Sequence, residues 1–163
     1  KILAAHSISF QSPEHHFYTS AIVGGIIPIA VGTALGIKWI NEQRNNDVNP
    51  MRPGGGERTT IGYLYDHRMV FCFVGDMAAE SGCFYEALKY SIRNELPIHF
   101  VVEDNGLSTS TPTQESWGTL HKIGFCYEAS YFNEDPHLSK YVSYFKYTRE
   151  KYPHQGIGKF INF

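Results

Sequence analysis

The sequence has no surplus of either charge and very little cysteine. It contains 14 Lys and Arg residues against 16 Asp and Glu residues, which gives a net charge of −2. A chain that binds the phosphates of nucleic acid needs a basic excess, so we expect no nucleic-acid partner. The three cysteines, Cys72, Cys83 and Cys126, form no close pair at metal-ligand spacing. Their odd number and scattered positions indicate reduced thiols rather than a disulfide framework or a zinc site.

Targeting signals and an initiator Met are also absent from the printed sequence. The 163 residues make one ordinary domain, and the strand-like segment 159–163 stands at the very end. We therefore expect a single domain over residues 1–163 that is truncated at both ends. The lack of a signal peptide predicts a cytoplasmic protein, or one of the mitochondrial matrix if the source is a eukaryote.

One apolar segment, residues 21–40, is long enough to raise the alternative of a membrane span. It even contains Gly32 and Gly36 at a spacing typical of packed membrane helices. Gly24, Gly25 and Pro28, however, crowd its first turns, and the rest of the chain has a soluble α/β pattern. We predict a buried helix with small residues for close packing, and no membrane association.

The middle of the chain predicts one strand–helix–strand unit. Residues 69–74 and 98–102 are short continuous apolar runs, as in central parallel strands. Between them, apolar and small residues recur at helical spacing, at Phe84, Ala87, Leu88, Ser91 and Ile92. Residues 41–60, rich in Asn, Pro and Gly, precede the unit and predict a surface insertion.

The rest of the chain completes a mixed pattern. Residues 108–117 predict a polar loop, and 159–163 predict a last strand. Helical spacing recurs at Leu138, Tyr141, Val142 and Phe145, which predicts a further helix. The predicted fold class is α/β, with a mostly parallel sheet between two helical layers.

Each strand of the central unit is followed by a polar residue with an oxygen that can bind a metal. Asp76 follows the first strand, and Asn105 comes 29 residues later, after the second. A crossover of this length sets parallel strands side by side with their carboxyl ends together. Ligands bind at that edge of open α/β sheets, and a carboxylate with an amide oxygen suits Mg²⁺ carrying a diphosphate.

The chain resembles the α subunit of the two-chain E1 components of thiamine diphosphate-dependent 2-oxo acid dehydrogenases, the pyruvate and branched-chain type. Three blocks carry the resemblance, at residues 20–28, 75–82 and 103–113. The last two resemble the thiamine diphosphate fingerprint, in which an Asp, an Asn and a carbonyl two residues later hold Mg²⁺. The resemblance implies that Asp76, Asn105 and Leu107 are the metal ligands and that the domain has the thiamine diphosphate-binding fold.

The same resemblance implies the other cofactor contacts. Gly75, Asp76, Met77 and Ala78 would lie against the diphosphate, at a turn into a helix whose amide groups and dipole favour an anion. The block at 20–28 resembles the family's aminopyrimidine turn, with the main chain of Ala21 facing the amino group and Val23 beneath the bent cofactor. Asn105 would complete the cofactor site.

Two residues depart from the family pattern. Met77 stands where the family has a second glycine, which predicts weaker binding if the position needs a positive φ or if its side chain meets the phosphate. Glu80 adds negative charge beside the predicted diphosphate, and the matched blocks contain no arginine. These departures favour, as one alternative, a non-catalytic relative that keeps the fold for subunit association.

The implied activity is oxidative decarboxylation of a 2-oxo acid, with transfer of the acyl group to a lipoyl carrier. Its implied partners are a β-type E1 subunit, which supplies the catalytic carboxylate, and a lipoyl-bearing acyltransferase. The remaining catalytic groups are expected on that partner and on segments beyond this chain, so no catalytic residue is assigned here, nor is the particular 2-oxo acid. Other thiamine diphosphate enzymes, transketolase-like or carboligase, share the fingerprint and remain a second alternative.

Overall fold

The structure, a computed structural model, describes residues 11–48, 68–108, 111–117 and 135–148. In chain order the elements are β1 (Gln11–Ser12), a 3₁₀ turn (Pro13–His15), β2 (Phe17–Tyr18), α1 (Ile26–Val48), β3 (Val70–Gly75), α2 (Asp76–Ala79), α3 (Gly82–Arg93), β4 (Ile98–Asp104), β5 (Leu107–Ser108), β6 (Thr111–Pro112), α4 (Thr113–Trp117) and β7 (Val142–Lys146).

A parallel sheet with the strand order β3-β4-β7 organises these elements. β4 lies in the centre, where Phe100 pairs with Cys72 of β3 on one side and with Val142 of β7 on the other. Both predicted strands of the central unit are present, and β4 runs two residues past its predicted end. The predicted α/β class with a parallel sheet is confirmed.

Helix α3 connects β3 to β4 and buries the predicted stripe. Phe84, Ala87, Leu88 and Ser91 are buried, and Ile92 packs at the margin of the core. The helix begins after Ser81, whose hydroxyl accepts a hydrogen bond from the backbone N–H of Phe84 at 3.4 Å. It ends at the Asn94 cap, so the predicted strand–helix–strand unit is confirmed.

Helix α1 differs from its predicted bounds at both ends. It begins at Ile26 rather than at residue 21, because Gly24 has a φ of +75°, which no helical residue adopts. It continues to Val48, eight residues past the predicted end, since no Gly or Pro interrupts the sequence between Gly36 and Pro50. The predicted insertion at 41–60 is therefore helical over its first eight residues, and its remainder lies outside the described residues.

The described helices cover one face of the sheet. Ile27, Ala30 and Ala34 of α1 belong to the same buried cluster as Phe84 of α3 and the inward residues of the three strands. The rings of Phe84 and Phe100 meet edge to face, with centroids 5.3 Å apart. On the opposite face Phe71 and Phe73 are exposed, so the second helical layer stays a prediction.

The prediction of a helix through Leu138 and Phe145 is wrong. Residues 136–141 form turns, and the carboxylate of the preceding Asp135 accepts hydrogen bonds from the backbone N–H groups of His137 and Leu138. β7 then begins at Val142. Tyr141 and Val142 are both buried, as the helical spacing predicts, but Phe145 is exposed because the strand alternates its side chains between two faces.

The predicted polar loop at 108–117 contains regular structure, which corrects that prediction. β5 and β6 form a short antiparallel hairpin, in which Leu107 pairs with Pro112 and Ser108 with Thr111. α4 follows the hairpin directly. The predicted last strand at 159–163 lies outside the described residues. In the described ranges no helix combines the length and apolar character that crossing a bilayer requires.

Candidate functional site

The two predicted metal-binding residues lie at neighbouring strand ends. β3 and β4 run parallel in a register that pairs Gly75 with Glu103. Asp76 and Asp104 therefore leave the sheet at the same edge, and Asn105 begins the turn that follows β4. The predicted adjacency of these strand ends is confirmed, whereas the role of Asp76 and Asn105 as ligands stays a prediction.

Asp76 is a buried carboxylate, 3% exposed, at the first position of α2. Burial raises its pKa above 3.8, and the charge of Asp104 raises it further. Hydrogen bonds from the Thr113 hydroxyl to Oδ2 and from the backbone N–H groups of Met77 and Asp76 oppose the shift. Each carboxylate oxygen has two acceptor positions, so the contact of Thr113 with Oδ2 still leaves the Asp76 carboxylate able to bind a cation.

The turn after β4 presents a second set of oxygen atoms. Gly106 has a φ of +73°, a conformation that favours glycine, and its N–H donates to Asp104 Oδ1 at 2.8 Å. The side-chain oxygen of Asn105 accepts a hydrogen bond from the Leu107 N–H at 2.9 Å. This Asx turn fixes the Asn105 amide and leaves one lone pair on its oxygen.

Met77 lies within α2 and has no positive φ. Among the described non-glycine residues, only His16 and Glu95 have a positive φ. The replacement of glycine at this position therefore causes no backbone strain. The predicted diphosphate contacts at the start of α2 stay a prediction, to which the helix dipole adds little because α2 has only four residues. The Met77 amide is also engaged by the Asp76 carboxylate.

Glycine at position 75 is not required by the packing of the chain itself. Its φ is −77°, and a Cβ built at this position meets no atom within 4 Å. Gly75 faces open space at the end of β3, so its missing side chain enlarges the cavity there. The missing side chain thus lets a ligand approach the backbone at Gly75.

The block at 20–28 forms a turn in front of these strand ends. The Ile22 N–H donates to the Ser20 hydroxyl at 3.1 Å, and the positive φ of Gly24 leads the chain into α1. The side chains of Ile22 and Val23 are 74% and 79% exposed. These two adjacent side chains form an exposed apolar surface that a ligand or partner can cover.

A cavity of about 370 Å³ lies between that turn, the end of β3 with the start of α2, and the turn after β4. The predicted cofactor and metal residues that line it are Val23, Gly75, Asp76, Met77, Ala78, Asn105 and Leu107. Ala21 is exposed on the same turn but lies outside the lining. A volume of this size suits a cofactor-sized ligand.

The cavity is acidic. Asp76 and Glu103 line it, and the described lining residues include no Lys, Arg or His. Glu80 lies outside the lining, yet its charge, with those of Asp104 and Asp76, adds to the effect of burial in raising the pKa of Tyr144. A diphosphate therefore fits this cavity together with a cation that neutralises part of its charge, and fits poorly alone.

The predicted ligand set belongs to the hard, oxygen-only type. The described residues contain no cluster of three or more His, Cys, Asp or Glu side chains, which a soft or tightly chelated metal needs. One carboxylate, one amide oxygen and a carbonyl instead suit Mg²⁺, which keeps several waters and shares its ligands with a substrate phosphate. The residues present fit such an ion.

Several residues of this site were not predicted from the sequence, among them Glu103, Tyr147 and Thr113. Glu103 and Tyr147 line the cavity, and Thr113 binds Asp76. Glu103 carried a usable signal, because it alternates with the buried Val102 at the end of a predicted strand. Tyr147 and Thr113 reach the site through β7 and the β5–β6 hairpin, which the sequence did not predict.

Known proteins match this chain over most of its length. Over 111 residues it is 28% identical to the proteins named "2-oxoisovalerate dehydrogenase subunit alpha, mitochondrial" of Mus musculus and of Homo sapiens, in a match covering 68% of this chain and 20% of each relative. The Bos taurus protein of the same name is also 28% identical, with 19% of its length covered. The chain thus spans about a fifth of the length of these relatives.

A family model described as "Dehydrogenase E1 component" matches residues 3–131. The match contains the turn at 20–26 and both strand ends that form the cavity. The chain belongs to the dehydrogenase E1 component family, whose members depend on thiamine diphosphate.

Proposed function

We propose that this chain is part of the α-type subunit of a thiamine diphosphate- and Mg²⁺-dependent 2-oxo acid dehydrogenase. The reaction is oxidative decarboxylation of pyruvate or a branched-chain 2-oxo acid, with transfer of the acyl group to a lipoyl carrier. The observation that carries the proposal is the buried Asp76 carboxylate, which lies beside the Asn105 turn in a cavity faced by Val23. A buried carboxylate with no basic neighbour in the described cavity lining is strongly stabilised by a cation.

Asp76, the side-chain oxygen of Asn105 and the carbonyl of Leu107 would hold the Mg²⁺ ion. All three residues line one cavity, and the local hydrogen bonds of Asp76 and Asn105 hold both side chains in position. Each of these two side chains keeps an acceptor position for the ion. The ion in turn would reduce the repulsion between a diphosphate and the acidic wall that Glu103 forms.

The organic part of the cofactor would lie between the strand ends and the turn at 20–26. Gly75, Met77 and Ala78 would contact the diphosphate, and Gly75 admits it because no side chain fills that space. Val23 would pack beneath the cofactor, which covers an apolar side chain that water otherwise surrounds. The backbone of Ala21 would face the aminopyrimidine.

When bound, the cofactor supplies the nucleophilic carbon and the electron sink that decarboxylation of a 2-oxo acid needs. This chain would orient the cofactor and hold the cation that neutralises part of its charge, and a β-type E1 subunit would supply the catalytic carboxylate. A lipoyl-bearing acyltransferase accepts the acyl group. The relatives carry the word "mitochondrial" in their names, so for a eukaryotic source we infer the mitochondrial matrix.

A non-catalytic relative is the second candidate. The observation that favours it is the acidic cavity, whose described lining contains no basic side chain for a diphosphate. Another thiamine diphosphate enzyme, transketolase-like or carboligase, would use Asp76 and Asn105 in the same way. Only the identity of the acyl acceptor can distinguish such an enzyme from a 2-oxo acid dehydrogenase.

Calorimetric titration of thiamine diphosphate, with and without Mg²⁺, tests the proposal on the chain co-expressed with its β-type partner. Asp76→Asn removes one charge from the site, and Glu86→Gln is a matched control because Glu86 is exposed on α3. We expect binding that requires Mg²⁺, disappears in Asp76→Asn and persists in Glu86→Gln. Absence of binding by the wild-type complex would refute the catalytic proposal in favour of the non-catalytic relative.

The acyl acceptor separates the two enzymatic alternatives. The complex is supplied with pyruvate or a branched-chain 2-oxo acid and with a lipoyl domain. Formation of an acylated lipoyl group is the expected result. Release of a free aldehyde or of a ligation product, without lipoyl acylation, would instead identify a decarboxylase or a carboligase.

A further inference from the structure

One threonine connects both strand ends of the site. Thr113 is the first residue of α4, and its hydroxyl donates a hydrogen bond to Asp76 Oδ2. Its backbone N–H donates to the carbonyl of Gly106 at 3.0 Å. Thr113 thus binds the residue that follows β3 and the turn that follows β4, which are the two halves of the predicted metal site.

The β5–β6 hairpin brings Thr113 to this position. Leu107 pairs with Pro112 and Ser108 with Thr111, so the residue after Pro112 lies opposite the residue before Leu107. Thr113 is thereby held beside Gly106 by its backbone, and its side chain is directed to a residue 37 positions earlier in the chain. The position of the Thr113 hydroxyl is therefore set by the backbone of the hairpin.

The hydrogen bond from Thr113 restricts the Asp76 carboxylate in two ways. It selects Oδ2 as the oxygen that faces the hairpin, and it limits rotation about the bond to the carboxyl group.

We infer that Thr113 is a positioning residue for the cation, which orients Asp76 and fixes its distance from the Asn105 turn. This inference rests on the proposed function, because it requires that Asp76 and Asn105 share one ion. Residues that orient a ligand in this way commonly change metal affinity by about 10- to 100-fold when they are replaced.

The test compares three variants of the co-expressed complex. Thr113→Val removes the hydroxyl and keeps the shape, Thr113→Ser keeps the hydroxyl, and Thr111→Val makes the same replacement at an exposed residue of the hairpin. For each, thiamine diphosphate binding is titrated with Mg²⁺ and, separately, with Ca²⁺. Mg²⁺ demands near-ideal octahedral geometry, whereas Ca²⁺ tolerates displaced ligands.

We expect Thr113→Val to raise the Mg²⁺ concentration for half-maximal binding about 10-fold or more, and the Ca²⁺ concentration by clearly less. Thr113→Ser restores the Mg²⁺ value to within about twofold of wild type, and Thr111→Val leaves it unchanged. The ratio of the Mg²⁺ and Ca²⁺ concentrations for half-maximal binding decides the test, because a general loss of stability weakens binding with both ions alike. If Thr113→Val does not fold, Thr113→Ala removes the same hydroxyl without crowding the hairpin.

Three outcomes would overturn the inference. If the wild type binds and Thr113→Val binds with unchanged Mg²⁺ dependence, Thr113 has no positioning role although the proposed function stands. The same conclusion follows if both ions weaken equally and Thr113→Ser fails to restore them. If the wild type itself does not bind thiamine diphosphate, the proposed function fails, and the inference fails with it.

Discussion

Replacement of Met77 by glycine tests whether the departure from the family pattern harms the site. Met77 is half-buried in the single turn of α2, and its side chain lines the cavity. Full burial of a Met side chain stabilises a protein by about 1.5–3 kcal/mol, so removal of a half-buried one should cost about 1 kcal/mol of unfolding free energy. Glycine in a helical position costs a further ~1 kcal/mol relative to alanine.

The two contributions separate when Met77→Ala is measured beside Met77→Gly. For a domain of this size, 1 kcal/mol corresponds to a shift of about 2–4 °C in melting temperature. We therefore expect Met77→Ala to melt about 3 °C lower than wild type and Met77→Gly about 6 °C lower, by the same scaling. Thermal unfolding followed by circular dichroism measures both shifts.

Cofactor affinity is expected to respond differently from stability. The backbone at Met77 already has a conformation that Met, Ala and Gly all adopt, so the Kd for thiamine diphosphate with Mg²⁺ should stay within about threefold in both variants. A tenfold gain in Met77→Gly alone would refute this reasoning, since the bound backbone would then need a positive φ. A gain in both variants would instead indicate that the Met77 side chain crowds the diphosphate.

Three further outcomes are expected. Burial raises the pKa of Asp76 above 3.8, so the ionised carboxylate opposes folding. Lowering the pH through that pKa toward 3.8 should therefore raise the stability of the cofactor-free wild type relative to Asp76→Asn. Urea unfolding at several pH values measures this trend, which would be absent if Asp76 were solvated. Phe84→Ala should cost about 3–5 kcal/mol of unfolding free energy, because Phe84 is fully buried against Phe100. Phe71→Ala should cost less than about 1 kcal/mol, because Phe71 is exposed. Similar losses for the two variants in urea titrations would contradict this packing. A thiol reagent should modify the exposed Cys83 within minutes and spare Cys72, whose pKa burial raises to about 12; peptide mapping showing early modification of Cys72 would contradict its burial.

The sequence predicted the parts of the fold whose signals are local. The strands before Asp76 and Asn105 are continuous apolar runs closed by turn residues, and the stripe from Phe84 to Ile92 has one period throughout. Both signals depend only on neighbours along the chain. The side-by-side position of the two strand ends followed from the length of the connection between them.

The prediction failed where pairing with distant residues decides the structure. Leu138, Tyr141 and Val142 have helical spacing, yet the chain from Val142 onward pairs with β4, whose Phe100 lies 42 positions earlier. That pairing gains hydrogen bonds and burial that no local pattern records. The contact of Thr113 with Asp76 is of the same kind, because the β5–β6 hairpin creates it.

The face of the sheet opposite the described helices has a thermodynamic consequence. In the part of the chain that the structure describes, Phe71, Phe73 and Phe145 are about 60% exposed on that face. Water around apolar surface raises the heat capacity of the native protein, so a partner that covers these rings will associate with a negative heat-capacity change. The heat-capacity change of cofactor binding reports only on the small apolar area near Val23. The temperature dependence of the binding enthalpy therefore separates covering of the sheet from filling of the cavity, even when both occur in one assembly.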